Sequence, residues 1–173
     1  PLFIDGARLG YALTATGNDV TLEDIARIAD VFYIGGTKVG AMFGEAVVFT
    51  HGNMPKNFVT LVKQHGALLA KGWLLGVQFD TLFTDDLYCR IARHANDAAD
   101  RIREVLVERG YTLTFDAPTN QIFITLDNAT SERLQRNVRL GFMEKADDTH
   151  TVMRICTSWA TTDEQVEQLI ALL

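Results

Sequence analysis

Two short apolar runs, Leu2-Phe3-Ile4 and Val31-Phe32-Tyr33-Ile34, bracket a segment that contains Thr21-Leu22-Glu23-Asp24. A threonine with an acid three residues on is the capping-box pattern, in which each side chain satisfies a backbone N–H of the other at a helix start. The pattern predicts a helix through Ala29, and so a strand, helix, strand unit. No other feature constrains the fold as much, because strands joined by a helical crossover lie parallel in one sheet. A third run, Ala46-Val47-Val48-Phe49, follows a glycine-rich loop. Runs apolar on both faces suit a sheet covered by helices on each side, and the class is α/β.

Downstream, Pro55 stands in a first-turn position, and Phe58, Val59, Leu61, Val62, Leu68 and Leu69 recur at helical spacing up to an interruption at Gly72. A second helix is expected over Trp73–Phe83. The clearest helix runs from about Asp86 to Arg109, where Ile91, Ala95, Ala98, Ala99, Ile102, Val105 and Leu106 form one stripe and Gly110 stops it. Strands are then expected at Tyr111–Phe115 and Gln121–Leu126, separated by the turn-rich Asp116-Ala117-Pro118-Thr119-Asn120. A helix around Glu132–Leu140, a strand Thr151–Thr157 and a final helix from the capping box Thr162-Asp163-Glu164-Gln165 complete a small α+β unit. The chain is expected to divide once, into residues 1–84 and 85–173. The opening Pro1-Leu2-Phe3-Ile4 reads as a buried strand already under way, with no initiator methionine and no cap before it. The expectation is a piece of a longer protein, or one whose upstream half is absent from this sequence.

Of the 173 residues 47% are hydrophobic and 22% charged, a composition able to build a real core. The net charge of −6 offers no footprint for nucleic acid, which requires clustered lysine and arginine. No apolar run approaches the roughly 20 residues of a membrane-spanning helix, and no leader precedes the first residue, so a cytoplasmic location is the default expectation. Cys89 and Cys156 lie far apart without metal-ligand spacing, which predicts buried, reduced thiols and no metal site.

Asp5 ends the first strand in Asp5-Gly6-Ala7-Arg8-Leu9, and Lys38 lies just past the second in Gly35-Gly36-Thr37-Lys38-Val39-Gly40. Ligands of open α/β sheets bind beyond the carboxyl ends of the strands, so both charges are expected in one crevice. An acid and a glycine-flanked lysine converging there suit a bound organic cofactor such as pyridoxal 5'-phosphate. Its aldehyde forms a Schiff base with a lysine amine, and a carboxylate against its pyridine nitrogen keeps that nitrogen protonated. Thr37 offers a hydroxyl for a phosphate oxygen. Taken alone, a strand-end aspartate before glycine also reads as a turn residue, and a lysine in such a loop as a solvated one. A Walker-type phosphate loop is set aside, because threonine precedes the lysine here instead of following it.

These segments, followed by Met153-Arg154-Ile155-Cys156-Thr157-Ser158-Trp159-Ala160-Thr161-Thr162, resemble in order those of the L-threonine aldolase and β-eliminating lyase family. Members of that family are fold-type I pyridoxal-phosphate enzymes about twice this length. The resemblance implies the end of the large cofactor domain (residues 1–84) and a small C-terminal domain with its long linking helix (residues 85–173). It implies that Asp5 pairs with the pyridine nitrogen, that Lys38 carries the cofactor, and that Arg8 holds cofactor or substrate carboxylate. Arg154 would grip the amino-acid carboxylate through two parallel hydrogen bonds, a role that suits a planar, permanently charged guanidinium. Relatives place an arginine where Gly66-Ala67-Leu68-Leu69-Ala70-Lys71-Gly72 has Lys71, so a contact to a neighbouring subunit's phosphate and a plain solvated lysine both remain open for it.

The implied reaction is cleavage of threonine or allo-threonine to glycine and an aldehyde, by a cytoplasmic homodimer or homotetramer that needs the N-terminal half. The isolated piece is expected to be inactive. The catalytic base, a ring-stacking histidine and a glycine-threonine phosphate cup are expected upstream, and His51, His65, His94 and His150 read as solvated or capping residues. The alternatives are a β-eliminating lyase of the same fold and a non-catalytic fragment or interaction subunit.

Overall fold

The computed structural model describes all residues, 1–173, and its contacts fall into two compact units: Pro1–Leu13 with Asn18–Ile91, and Thr14–Gly17 with Ala92–Leu173. No helix is long and apolar enough to cross a membrane.

The first unit holds a three-stranded sheet, β1 (Phe3–Ile4), β2 (Val31–Gly35) and β3 (Glu45–Phe49), in the order β1-β2-β3. Strands β1 and β2 run parallel, with Ile4 opposite Phe32, and β3 returns antiparallel, with Tyr33 opposite Val47. The crossover contains α1 (Leu9–Leu13), which the sequence did not announce, and α2 (Leu22–Ile28). The capping box that predicts α2 is present with both of its hydrogen bonds, and Ala29 is its C-cap. Phe32 and Ile34 are buried on one face, together with Leu9, Tyr11, Ile25, Val39, Leu82 and Tyr88. On the other face Phe3 is 59% exposed and Val47 53%, and within this chain β1 pairs with β2 alone.

Helix α3 spans Phe58–Gln64 and stops well short of Leu68 and Leu69, which are half exposed. Its end is a Schellman motif. Gly66 takes a left-handed φ of +68°, its N–H donates to Lys63 O, and the next N–H, of Ala67, donates to Val62 O. Helix α4 occupies Trp73–Phe83 as the spacing predicts. A short 3-10 turn at Thr84–Asp86 leads into α5 (Leu87–Glu108).

The second unit is a four-stranded sheet in the order β4-β5-β7-β6, built from β4 (Thr112–Leu113), β5 (Gln121–Asp127), β6 (Gly141–Lys145) and β7 (His150–Cys156). Every neighbouring pair is antiparallel. Alternation along β5 turns Ile122, Ile124 and Leu126 into a core shared with Ala99, Ile102 and Leu106 of α5, Met153 and Ile155 of β7 and Val166 of α7 (Asp163–Leu172). That is the stripe visible in the sequence. The helix expected around Glu132–Leu140 lies earlier, as α6 (Asn128–Gln135), because the Asp127 carboxylate caps it by accepting from Thr130 N at 2.9 Å. The freed residues form β6, a strand the sequence reading missed. It is an edge strand with a bulge, and Phe142 and Met143 point to solvent, so no burial pattern marks it. Cys89 is half-buried, but Cys156 is exposed, against the expectation of two buried thiols. It is the last residue of β7 and faces away from its buried neighbour Ile155.

Two glycines carry structural requirements that mutation tests. Gly110 ends α5 at φ +79°, so Gly110→Ala is expected to lower the unfolding free energy by about 1 kcal/mol, read from the urea midpoint of the full-length protein. A Cβ at Gly6 would sit 1.6 Å from Tyr33 O, so Gly6→Ala forces β1 from β2 and is expected to cost about 3 kcal/mol in the same measurement.

Candidate functional site

The carboxyl ends of β1 and β2 form the candidate site, and the backbone joins them there. Gly6 O accepts from Gly35 N at 2.8 Å and from Leu9 N at 3.0 Å, which turns the chain from β1 directly into α1. Asp5, one residue past β1, therefore lies beside Tyr33 of β2. Its Oδ1 accepts from the Tyr33 hydroxyl and, at 3.0 Å, from Ala7 N. The Tyr33 hydrogen bond, then the Ala7 N–H, then the charges of Lys38 and Arg8 hold the Asp5 carboxyl below its ordinary value, and it is ionised at neutral pH. The same pairing raises the Tyr33 hydroxyl, which stays protonated and able to donate.

Lys38 lies three residues beyond β2, in the loop that leads to β3. Three side chains brace this loop. The Tyr11 hydroxyl donates to Lys38 O. The buried Tyr88 hydroxyl donates to Gly35 O at 2.8 Å and accepts from Gly10 N at 3.1 Å, and burial pushes its pKa upward. Glu45 accepts from Gly36 N at 2.8 Å and from the Thr37 hydroxyl at 3.3 Å. The loop backbone is thus fixed, while the Lys38 amine itself is exposed and enters no ion pair with the protein. No local signal in the sequence marks the bracing residues Tyr11, Glu45 and Tyr88, or Tyr33, which holds Asp5. The tyrosines stand at apolar-run or helix-start positions that read as core, and nothing local marks their partners.

Of the expected site residues, Asp5, Arg8, Thr37 and Lys38 fall in the first unit at this one edge. The Thr37 hydroxyl is engaged with Glu45. Arg8 is half-buried with its Nε buried and lacking an acceptor. Lys71 is exposed in the turn that leads into α4, where its carbonyl accepts from Leu74 N at 3.1 Å. Arg154 belongs to the second unit, on the inner strand β7. Its Nη1 donates to Gln121 Oε1 at 3.2 Å, and its Nε is buried without an acceptor. His94 is exposed and reaches Thr161 O, and His150, half-buried, pairs with Asp147.

No protein-family model matches the chain. The low specificity L-threonine aldolase of Pseudomonas aeruginosa is 30% identical over 169 residues, which is 97% of this chain and 48% of that protein. The threonine aldolase of Leishmania major superposes with a TM-score of 0.94 at 42% identity, over 99% of this chain and 50% of that one. The Sphingomonas wittichii serine palmitoyltransferase superposes at 0.65 with 18% identity over 98% of this chain, a likeness of fold alone. Along nearly its whole length the chain is therefore similar in sequence and in its mixed α/β fold to threonine aldolases, and it spans about half the length of the relatives it matches.

Proposed function

We propose that this chain is the C-terminal half of a pyridoxal-phosphate-dependent aldehyde-lyase that cleaves threonine or allo-threonine to glycine and an aldehyde. In this reading residues 1–84 complete the large cofactor domain, and residues 85–173 form the small domain. The observation that carries the proposal is the pairing at one sheet edge of an ionised carboxylate, Asp5, with an uncommitted lysine amine, Lys38, whose charge acts on it.

The residues fit the cofactor. An acid held below its ordinary value is the partner a protonated pyridine nitrogen needs, and the loop before Lys38 approaches its neighbours so closely that a Cβ on Gly36 would lie 2.5 Å from Gly44 O. Pyridoxal phosphate, when bound, supplies an electron sink for the Cα–Cβ bond that breaks. Asp5 would hold the cofactor's pyridine nitrogen, and Lys38 Nζ would carry the cofactor and, once released by the substrate amine, could move a proton at Cα. Arg8, whose Nε has no protein acceptor, takes a cofactor or substrate carboxylate oxygen. Arg154 has the same vacant Nε, a feature that supports its taking the amino-acid carboxylate with two parallel hydrogen bonds. Thr37 can turn its hydroxyl from Glu45 to a phosphate oxygen. Lys71, solvated here, is assigned a phosphate of a neighbouring subunit. The reading includes a cytoplasmic homodimer or homotetramer completed by the N-terminal half, and an inactive isolated piece.

Two measurements on the full-length protein test this. Incubation with threonine is expected to release glycine; pyruvate released from a β-substituted alanine, without glycine from threonine, would instead identify an eliminating lyase. Lys38→Ala is expected to remove the protein's visible cofactor absorbance and to lower turnover by on the order of 10²–10⁴-fold. Unchanged absorbance in that variant would sink the assignment.

A further inference from the structure

Asp5 does not use its two carboxylate oxygens alike. Both protein donors, the Tyr33 hydroxyl and the Ala7 N–H at 3.0 Å, converge on Oδ1, and no protein group donates to Oδ2. A carboxylate at a strand end ordinarily rotates freely about its terminal torsion, which is broad and roughly two-fold. Two donors on one oxygen remove that freedom and leave Oδ2, with both its lone-pair directions, as the unspent acceptor.

We propose that Tyr33 is a positioning residue, fixing Asp5 by Oδ1 so that Oδ2 alone is presented to the N–H of a protonated heteroaromatic ligand. The inference rests on the proposed function for the identity of that ligand, pyridoxal phosphate, but not for the geometry. The parallel register sets Ile4 opposite Phe32, so the next residues on each strand, Asp5 and Tyr33, stand side by side, and side chains at paired positions share a sheet face. That is the face on which Phe3 is exposed and Tyr33 half-buried, which leaves Oδ2 accessible. The Tyr33 ring is steadied by a tilted contact with Phe3, ring centroids 6.1 Å apart. The charged and titratable groups acting on the pair are Lys38 and Arg8, which favour the carboxylate, and Glu45, which disfavours ionisation of Tyr33. None of them supplies a second hydrogen bond to Asp5, so the hydroxyl of Tyr33 is the one side-chain group that sets its orientation.

The test compares the full-length protein with its Tyr33→Phe variant, which keeps the ring and its contact with Phe3. The cofactor-free protein, labelled with carboxyl-13C aspartate and assigned with Asp5→Asn, is titrated by NMR, and pyridoxal phosphate binding is measured by equilibrium dialysis. Asp5 is expected to titrate below the ordinary carboxylate value in the unsubstituted protein and to move up toward it in Tyr33→Phe. Cofactor binding is expected to weaken by about threefold to tenfold, as loss of a hydrogen bond to a charged group allows, with thermal unfolding little changed. An Asp5 titration that does not move in Tyr33→Phe overturns the positioning role whatever the cofactor does. If Asp5 moves as expected but the unsubstituted protein binds no pyridoxal phosphate, the proposed function falls and with it the ligand assigned to Oδ2.

Discussion

The contact between the ends of two parallel strands underlies the first unit. Gly6 passes so near the Tyr33 carbonyl that no side chain fits between them, and the Gly6 carbonyl serves both Gly35 and Leu9. A backbone packed this closely has one register, and the register decides that Asp5 stands beside Tyr33 and that Lys38 emerges beyond the same edge. A residue with a Cβ at Gly6 would separate the strands, and the acid and the amine would lose their common setting. The glycine is therefore a requirement of the candidate site's geometry as much as of the fold.

Around that contact the polar side chains are unevenly committed. Tyr11, Tyr88 and Glu45 spend their hydrogen bonds on backbone at Lys38, Gly35, Gly10 and Gly36, immobilising the loop. The Lys38 amine, Asp5 Oδ2 and Arg8 Nε keep capacity in reserve. A buried donor that lacks an acceptor costs free energy, and Arg8 Nε is one such donor in the unit that holds the ionised Asp5. In the second unit the same imbalance appears at Arg154, whose Nε is buried without an acceptor on an otherwise satisfied strand.

Stability in the second unit comes from a different source. Its sheet alternates cleanly, with Ile122, Ile124 and Leu126 turned inward against α5 and α7, and the ends of α5 and α7 are fixed by a Schellman glycine and a capping box. These are local devices and one amphipathic stripe, and for that reason this part of the chain was largely legible in advance. The exceptions follow from the same logic. The strand β6 was missed because an edge strand with its apolar residues in solvent has no inward face to leave a pattern, and α6 was placed too late because its cap, Asp127, is the last residue of the preceding strand.

The sequence by itself determined the elements whose signals are local: the capping boxes at Thr21 and Thr162, the glycine stop at Gly110, the stripe of α5, and the placement of Asp5 and Lys38 just past two strands. It also carried the likeness to the threonine aldolases, since the segments around these residues are continuous in the chain. Only the tertiary structure decided that Tyr33 holds Asp5 by one oxygen and that Tyr11, Tyr88 and Glu45 lock the Lys38 loop. Those pairings join residues 8 to 53 positions apart, and a hydrogen bond across such a separation depends on the register of strands and the turn of a helix, which no short stretch of sequence encodes.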